Sequence, residues 1–283
     1  MDFQARKALY KESLLHFLAQ QSDLCLLTNI PGNIGDHLIW AGTEDLLACG
    51  RIPYTSILLK DIQDIHRPRG TLLVPGSGAL TKSYHEWLPA TVIEASRRFH
   101  KVILLPSGYD VTVPIVAECL SQQNVYAFAR ETRSYRSVKN MGRAALSFDC
   151  AVYYHEFDNV PALLPKNGQD TVLLALREDK DSLLYGQNLA PNPAINEDIS
   201  RVKTNLGAWI KIIRRHGTIV TDRLHVAIAS VLFGKRLIYL DPRNFKISNY
   251  FGFTFRDTFD DRVEHSTTAW LLSNDFVIEK VTV

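Results

Sequence analysis

The 283 residues carry 32 Lys and Arg against 30 Asp and Glu, a net charge of +2, with 46% hydrophobic and 22% charged residues. That is the balance of a globular chain long enough for two cores. It excludes the basic stripe of a nucleic-acid binder, and no run of 18 apolar residues offers a membrane span.

The first residues, MDFQARKALYKESLLHFL, are charged throughout and lack the apolar stretch of a secretion signal. Cys25, Cys49, Cys119 and Cys150 form no CxxC pair and have apolar neighbours. Reduced, buried thiols in a cytoplasmic protein are expected, and no zinc site. Periodicity predicts a helix over 5–20, a buried strand over 23–29 and a helix over 34–49 that stops at Gly50. Strands follow at 54–60 and 70–76. A helix is expected over 84–99, with Pro89 in its first turn. Strand 101–108, helix 113–122, strand 124–130 and helix 132–140 complete this part. The βαβα rhythm implies a mainly parallel sheet with helices on both faces.

Residues 156–170 are rich in Pro, Asn, Gly and Asp and read as a linker, so domains of 1–160 and 161–283 are expected. The second α/β unit has a strand over 171–176, a helix near 204–215 and a strand over 217–222. A helix over 224–233 with Gly234 as its cap and a strand over 236–241 follow. Polar 178–203 reads as a long loop. Two adjacent α/β domains put the default ligand site in the cleft between them, at the carboxyl ends of the strands.

Five segments at such ends carry chemistry. In NIPGNIGDHLIWAGTEDLL (29–47) a glycine-rich turn opens a helix, a setting that favours anions. It meets neither GxGxxG nor GxxxxGK[ST], so no nucleotide fingerprint is present. Asp36 fits helix capping and a substrate role alike. In GTIVTDRLHVAIASVLFGK (217–235) Arg223 and His225 open a wholly apolar helix. Arg offers a fork for a carboxylate or phosphate, and His a proton near neutral pH. The alternative is an Arg paired with Asp222 and a His satisfied by backbone; Asp222 or Thr221 can cap the helix. Arg177 ends a core strand, Arg130 ends another, and Gly76-Ser77-Gly78 makes a tight turn after a third. Arg130, Arg133, Arg136, Lys139 and Arg143 fit a small-anion pocket or a solvated helix face equally.

Together these segments resemble the polysaccharide pyruvyl transferase family. The resemblance rests on Gly32-Asn33-Ile34-Gly35-Asp36, Gly76-Ser77-Gly78, Arg130-Glu131 to Ser134, Arg177, Thr221-Asp222-Arg223-Leu224-His225 with Gly234-Lys235, and Asn244 to Lys246. It runs over most of residues 25–250. The chain departs from the family's pattern at PGSGAL, at LPSGYD and at Arg236, where a proline is usual. The resemblance implies two Rossmann-like domains with parallel sheets, similar to B-type glycosyltransferases, with the active site in the interdomain cleft. It implies transfer of pyruvate from phosphoenolpyruvate to two hydroxyls of one sugar as a cyclic ketal, with release of phosphate, in exopolysaccharide or cell-surface glycan synthesis. The implied donor residues are Arg177, Arg223, His225, Arg130 and Lys246. The implied catalytic residues are His225, Asp36 and Arg223, with acid and base roles open between His225 and Asp36. Asn33, Gly35, Asp36, Gly76, Ser77 and Gly78 are implied on the acceptor side. Neither a metal nor a cofactor is called for. The implied partners are phosphoenolpyruvate and a sugar or lipid-linked oligosaccharide, the latter placing the protein at the inner face of the membrane; self-association is left open. Two rivals remain: a nucleotide-sugar glycosyltransferase, with Asp241 or Glu178 on the ribose, and a non-catalytic member of the family.

Overall fold

Strands that are apolar along their whole length can only sit in sheets covered on both faces. In the computed structural model, which describes residues 1–67, 69–82, 87–141, 143–158, 171–179, 181–201, 205–241, 245–257 and 261–279, both sheets that carry such strands are parallel. Two compact units result, 1–32 with 39–155, and 33–38 with 156–283.

The first unit runs α1 (Phe3–Ala19), β1 (Leu24–Thr28), most of α2 (Ile34–Cys49), β2 (Thr55–Leu58), β3 (Arg69–Val74), α3 (Leu88–Arg98), β4 (Phe99–Ser107), α4 (Pro114–Ser121), β5 (Val125–Ala129), α5 (Thr132–Val138) and β6 (Ala144–Leu146). Its sheet has the order β2-β1-β3-β4-β5-β6. The direction of travel reverses between β1 and β3, the kind of switch point where α/β sheets open a crevice. Val92, Val116 and Val138, from α3, α4 and α5, pack against Leu72, Val102 and Ala127 on one face. Pro106 lies in central β4, where a missing N–H would break the ladder. The sheet absorbs it with a register shift against β5 between Leu104 and Ser107.

Helix α2 ends at Cys49, as its spacing predicts, but Gly50 is not the left-handed residue. Arg51 is, at φ 52°. Ile52 N bonds Leu47 O and Arg51 N bonds Ala48 O, the paired bonds of a Schellman end. Gly50 answers to packing instead, since a Cβ there would lie 2.5 Å from Leu15 Cδ2 of α1.

The second unit holds β7 (Val172–Ala175), β8 (Leu189–Pro191), α6 (Leu206–Arg215), β9 (Thr218–Thr221), α7 (Leu224–Leu232), β10 (Arg236–Tyr239), α8 (Lys246–Thr254), β11 (Val263–His265), α9 (Thr268–Ser273) and β12 (Val277–Glu279). The order β11-β10-β9-β7 advances in one direction, so right-handed crossovers put α6, α7 and α8 on one face. Gly234, at φ 67°, ends α7 as expected. The other face is covered by the stretch expected to be a long loop. Within it β8 pairs antiparallel with β12, and Leu184, Leu189, Leu271 and Val277 cover Leu174, Val220 and Ile238. Burying that second face is what structures a polar segment without periodicity. The expected linker falls outside the described residues from 159 to 170.

Candidate active site

Strands β7 and β9 lie side by side, with Ala175 opposite Thr221. At their carboxyl ends the chain is tied across. Thr221 Oγ1 donates to Ala175 O at 2.7 Å and accepts from Arg223 N at 3.0 Å. Asp222 Oδ1 accepts from Arg177 N at 2.8 Å. Neither side chain takes the capping role open to it in sequence. Helix α7 begins after Arg223 with no side-chain cap.

Arg177 and Arg223 leave these strand ends buried, 6% and 7% exposed. A buried guanidinium demands carboxylate partners. Arg223 is gripped at both Nε and Nη2 by Asp198, each at 2.5 Å, and Nη2 also reaches Asp179 Oδ2 at 3.1 Å. Arg177 holds Asp179 from Nε at 2.9 Å and Nη2 at 3.2 Å, and reaches Asp181 at 3.4 Å. Asp179 therefore bridges the two arginines. Arg223 pairs with Asp198 and Asp179, whereas the sequence offered Asp222 as its partner. Burial pushes the Asp222 carboxyl up to about 7, against the opposing pull of Arg177 and Arg223. At Asp179 burial acts the same way, but the two arginines prevail and hold its carboxyl below the usual carboxylate value.

Asp179, Asp181 and Asp198 were not among the residues singled out from sequence. The first two stand in REDKD directly after Arg177, and a buried strand-end Arg next to such a run is a readable signal. Asp198, 21 residues beyond Arg177 in an aperiodic segment, left none.

His225 sits on the first turn of α7 and is 9% exposed. Gly35 lies against it: a Cβ on Gly35 would stand 2.6 Å from His225 Nδ1 and 2.9 Å from its Cβ. Residues 33–36 and the TDRLH segment thus meet within the second unit. Asn33 Oδ1 accepts from Gly35 N at 2.8 Å, and Asp36 Oδ2 accepts from Asn33 N at 2.9 Å. The carboxylate of Asp36 is a helix-capping group, three residues into its helix, in the reciprocal arrangement of a capping box.

The remaining sequence candidates sit elsewhere or are engaged. Arg130 belongs to the first unit, in a fully buried pair with Asp149 at 2.8 Å. Gly76 is small because Pro106 O would lie 2.4 Å from its Cβ, so the close approach is by the protein's own backbone. Ser77 N donates to Ser107 Oγ, Ser77 Oγ accepts from Ala79 N, and Gly78 O accepts from Thr81 Oγ1. Lys246 opens α8, whose next two amides, Ile247 N and Ser248 N, donate to Asp241 Oδ1. Asn244 lies outside the described residues. Cys49 is exposed, contrary to expectation, at the last position of α2; Cys25, Cys119 and Cys150 are buried and free. Burial pushes the Cys119 and Cys150 thiols up to about 12, far from nucleophilic use. Among the described residues no group of three His, Cys, Asp or Glu is placed to hold a metal, and no helix is long and apolar enough to cross a membrane.

Parallel sheets with charged side chains gathered where the strands end define a Rossmann-like α/β protein. Residues 33–244 match the polysaccharide pyruvyl transferase family, and the chain belongs to it. The fold is similar to that of a crystal structure of an uncharacterized protein from Klebsiella pneumoniae subsp. pneumoniae NTUH-K2044. The TM-score is 0.72 at 20% identity, over 93% of this chain and 99% of that one. No curated protein matches the chain.

Proposed function

We propose that the protein transfers the pyruvyl group of phosphoenolpyruvate to two hydroxyls of one sugar, as a cyclic ketal, in cell-surface or exopolysaccharide synthesis. Family membership supports the reaction class. The observation that carries the reading is the pair of strand-end arginines bridged by Asp179, with His225 two residues from Arg223. Two guanidiniums suit a donor that bears a carboxylate and a phosphate close together. The aspartates hold the forks of both, while Arg223 Nη1 makes no hydrogen bond among the described residues and is the atom we assign to the donor anion. Asp198 and Asp179 thus orient Arg223 for the anion and are not themselves ligands.

In this reading His225 gives a proton to the vinyl CH2, which becomes the methyl group and leaves C2 electrophilic. One sugar hydroxyl bonds to C2 and its proton returns to His225. The C2–O bond to phosphate breaks with its electron pair going to the phosphate, the second hydroxyl bonds to C2 and closes the ring, and its proton leaves with the phosphate. Asp36, bound to Asn33 N through Oδ2, keeps Oδ1 for the acceptor side. The acceptor is a free or lipid-linked glycan, and the reaction takes place on the cytoplasmic side. Asp241, the carboxylate a ribose pocket would use, accepts two helix amides through Oδ1, and its Oδ2 is buried 3.9 Å from His265 Nε2.

The test is phosphate release from phosphoenolpyruvate with a panel of galactose, glucose, mannose and N-acetylmannosamine acceptors, lipid-linked forms included. His225→Ala is expected to lose at least a hundredfold of transfer, the scale of general acid catalysis. Full activity in that variant, or no release with any acceptor, sinks the proposal. Arg223→Ala is the weaker probe, because it strands Asp198 buried and unpaired and so costs about 3–5 kcal/mol of stability.

A further inference from the structure

A pocket of about 290 Å³ is lined in part by Arg177. That is the small end of ligand sites, which run from roughly 300 Å³, and suits one ring more than a nucleotide. Its polar lining is Arg177, Glu178, Asp179 and Ser182, and its apolar lining includes Leu184, Leu189 and Pro191. Tyr185 stands at the edge and is 57% exposed, unusual for so large a ring. It rides a short 3₁₀ turn, Tyr185–Gln187, that Asn188, at φ 53°, turns into β8.

The lining chemistry selects the ligand. Glu178 and Asp179 put two carboxylates on the lining; Asp179 accepts from both Arg177 and Arg223, and Arg177 also reaches Asp181. Ionised carboxylates only accept, so the ligand must donate. Glu178 is held in place by Asn196 Nδ2 at 3.2 Å and Arg201 at 3.5 Å. Donors around the edge and C–H groups on the face of one ring describe a neutral pyranose, stacked on Tyr185.

We propose that this pocket is a subsite for one pyranose unit of the acceptor glycan, adjoining the arginine cluster through the shared Arg177 and Asp179. The proposal deepens the pyruvyl-transfer reading and rests on it for the word acceptor, but the binding of a sugar does not need the transfer to occur.

Two measurements separate the two. In the absence of phosphoenolpyruvate, saturation transfer from the 283-residue protein to the methyl glycosides of galactose, glucose and mannose should be seen for at least one of them. Tyr185→Ala, at an exposed position, should abolish it while melting as the parent does. Where transfer is measurable, the same variant should raise the acceptor KM about tenfold, with the phosphoenolpyruvate KM within twofold. No saturation of any glycoside by the parent, or equal saturation by Tyr185→Ala, overturns the subsite. Phosphoenolpyruvate that neither shifts Tm nor releases phosphate, with glycoside binding lost in Tyr185→Ala, upholds the subsite and refutes only pyruvyl transfer.

Discussion

Two single residues set the chemistry of the strand ends. Gly35 leaves 2.6 Å between a would-be Cβ and His225 Nδ1. Gly35→Ala should push the imidazole aside and cut transfer about a hundredfold, the usual result of misplacing a catalytic group by ~1 Å. Far-ultraviolet circular dichroism should stay unchanged, and a fully active Gly35→Ala would remove His225 from the mechanism. Asp222 makes a pH prediction with a definite sign. Its carboxyl titrates at about 7 in the fold, above the ~3.9 of an unfolded chain. The folded state therefore keeps a proton that the unfolded state releases. Its contribution to stability is full below about pH 4 and is lost as pH rises through 7. Asp222→Asn keeps an oxygen for Arg177 N and removes the titration. The variant should therefore gain on the parent by a few kcal/mol between pH 4 and pH 8, read from denaturant melts at each pH. A constant difference across that range would show that Asp222 is ionised throughout.

At the scale of elements, two helical glycines predict opposite effects. Gly42 lies in the middle of α2, and a Cβ there would stand 2.0 Å from Cys150 O, a backbone atom that cannot step aside. Gly252 lies in α8 with nothing within 4 Å. Gly to Ala in a helix ordinarily stabilises by about 1 kcal/mol. Gly252→Ala should raise Tm accordingly, while Gly42→Ala should lower it by roughly 3–10 °C through overpacking at 150–153. Equal shifts of one sign would mean that α2 does not press on that turn. The contrast also marks what sequence could reveal. Gly42 stood in plain helical pattern, and nothing local marked it as the one that touches a distant carbonyl. Strands and helices with clear periods, such as β1, α2, β9 and α7, were legible because each needs only its own neighbours. The covering of the second sheet was not. Strand β8 is three residues, and β12, its partner, lies 86 positions further on, so its pairing is a long-range fact with no local period. The site divides in the same way. Arg177, Arg223 and His225 could be read from strand ends and a helix mouth. Asp198, which grips Arg223, could not, because its place is set by the fold of an aperiodic segment.

For the molecule as a whole, residues 33–36 and the TDRLH segment are far apart in sequence yet fall in one compact unit. Residues 33–38 leave their chain neighbours on both sides to join 156–283, so that α2 is divided between the units, its first turn in one and its remainder in the other. The arginine cluster, the histidine and the glycine that seats it all belong to that one unit. Arg130 and the Gly76–Gly78 turn belong to the other, and their polar groups are engaged there. A donor held by Arg177 and Arg223 should then order a discontinuous set of amides. Hydrogen exchange on the 283-residue protein with saturating phosphoenolpyruvate should slow at 33–38, 175–179 and 221–226 together. Strands β4 and β5 should exchange as in the free protein, since their ladders are already closed. Protection centred instead on 76–80 and 130–134 would move the donor to the first unit and leave the bridged arginines a purely structural pair.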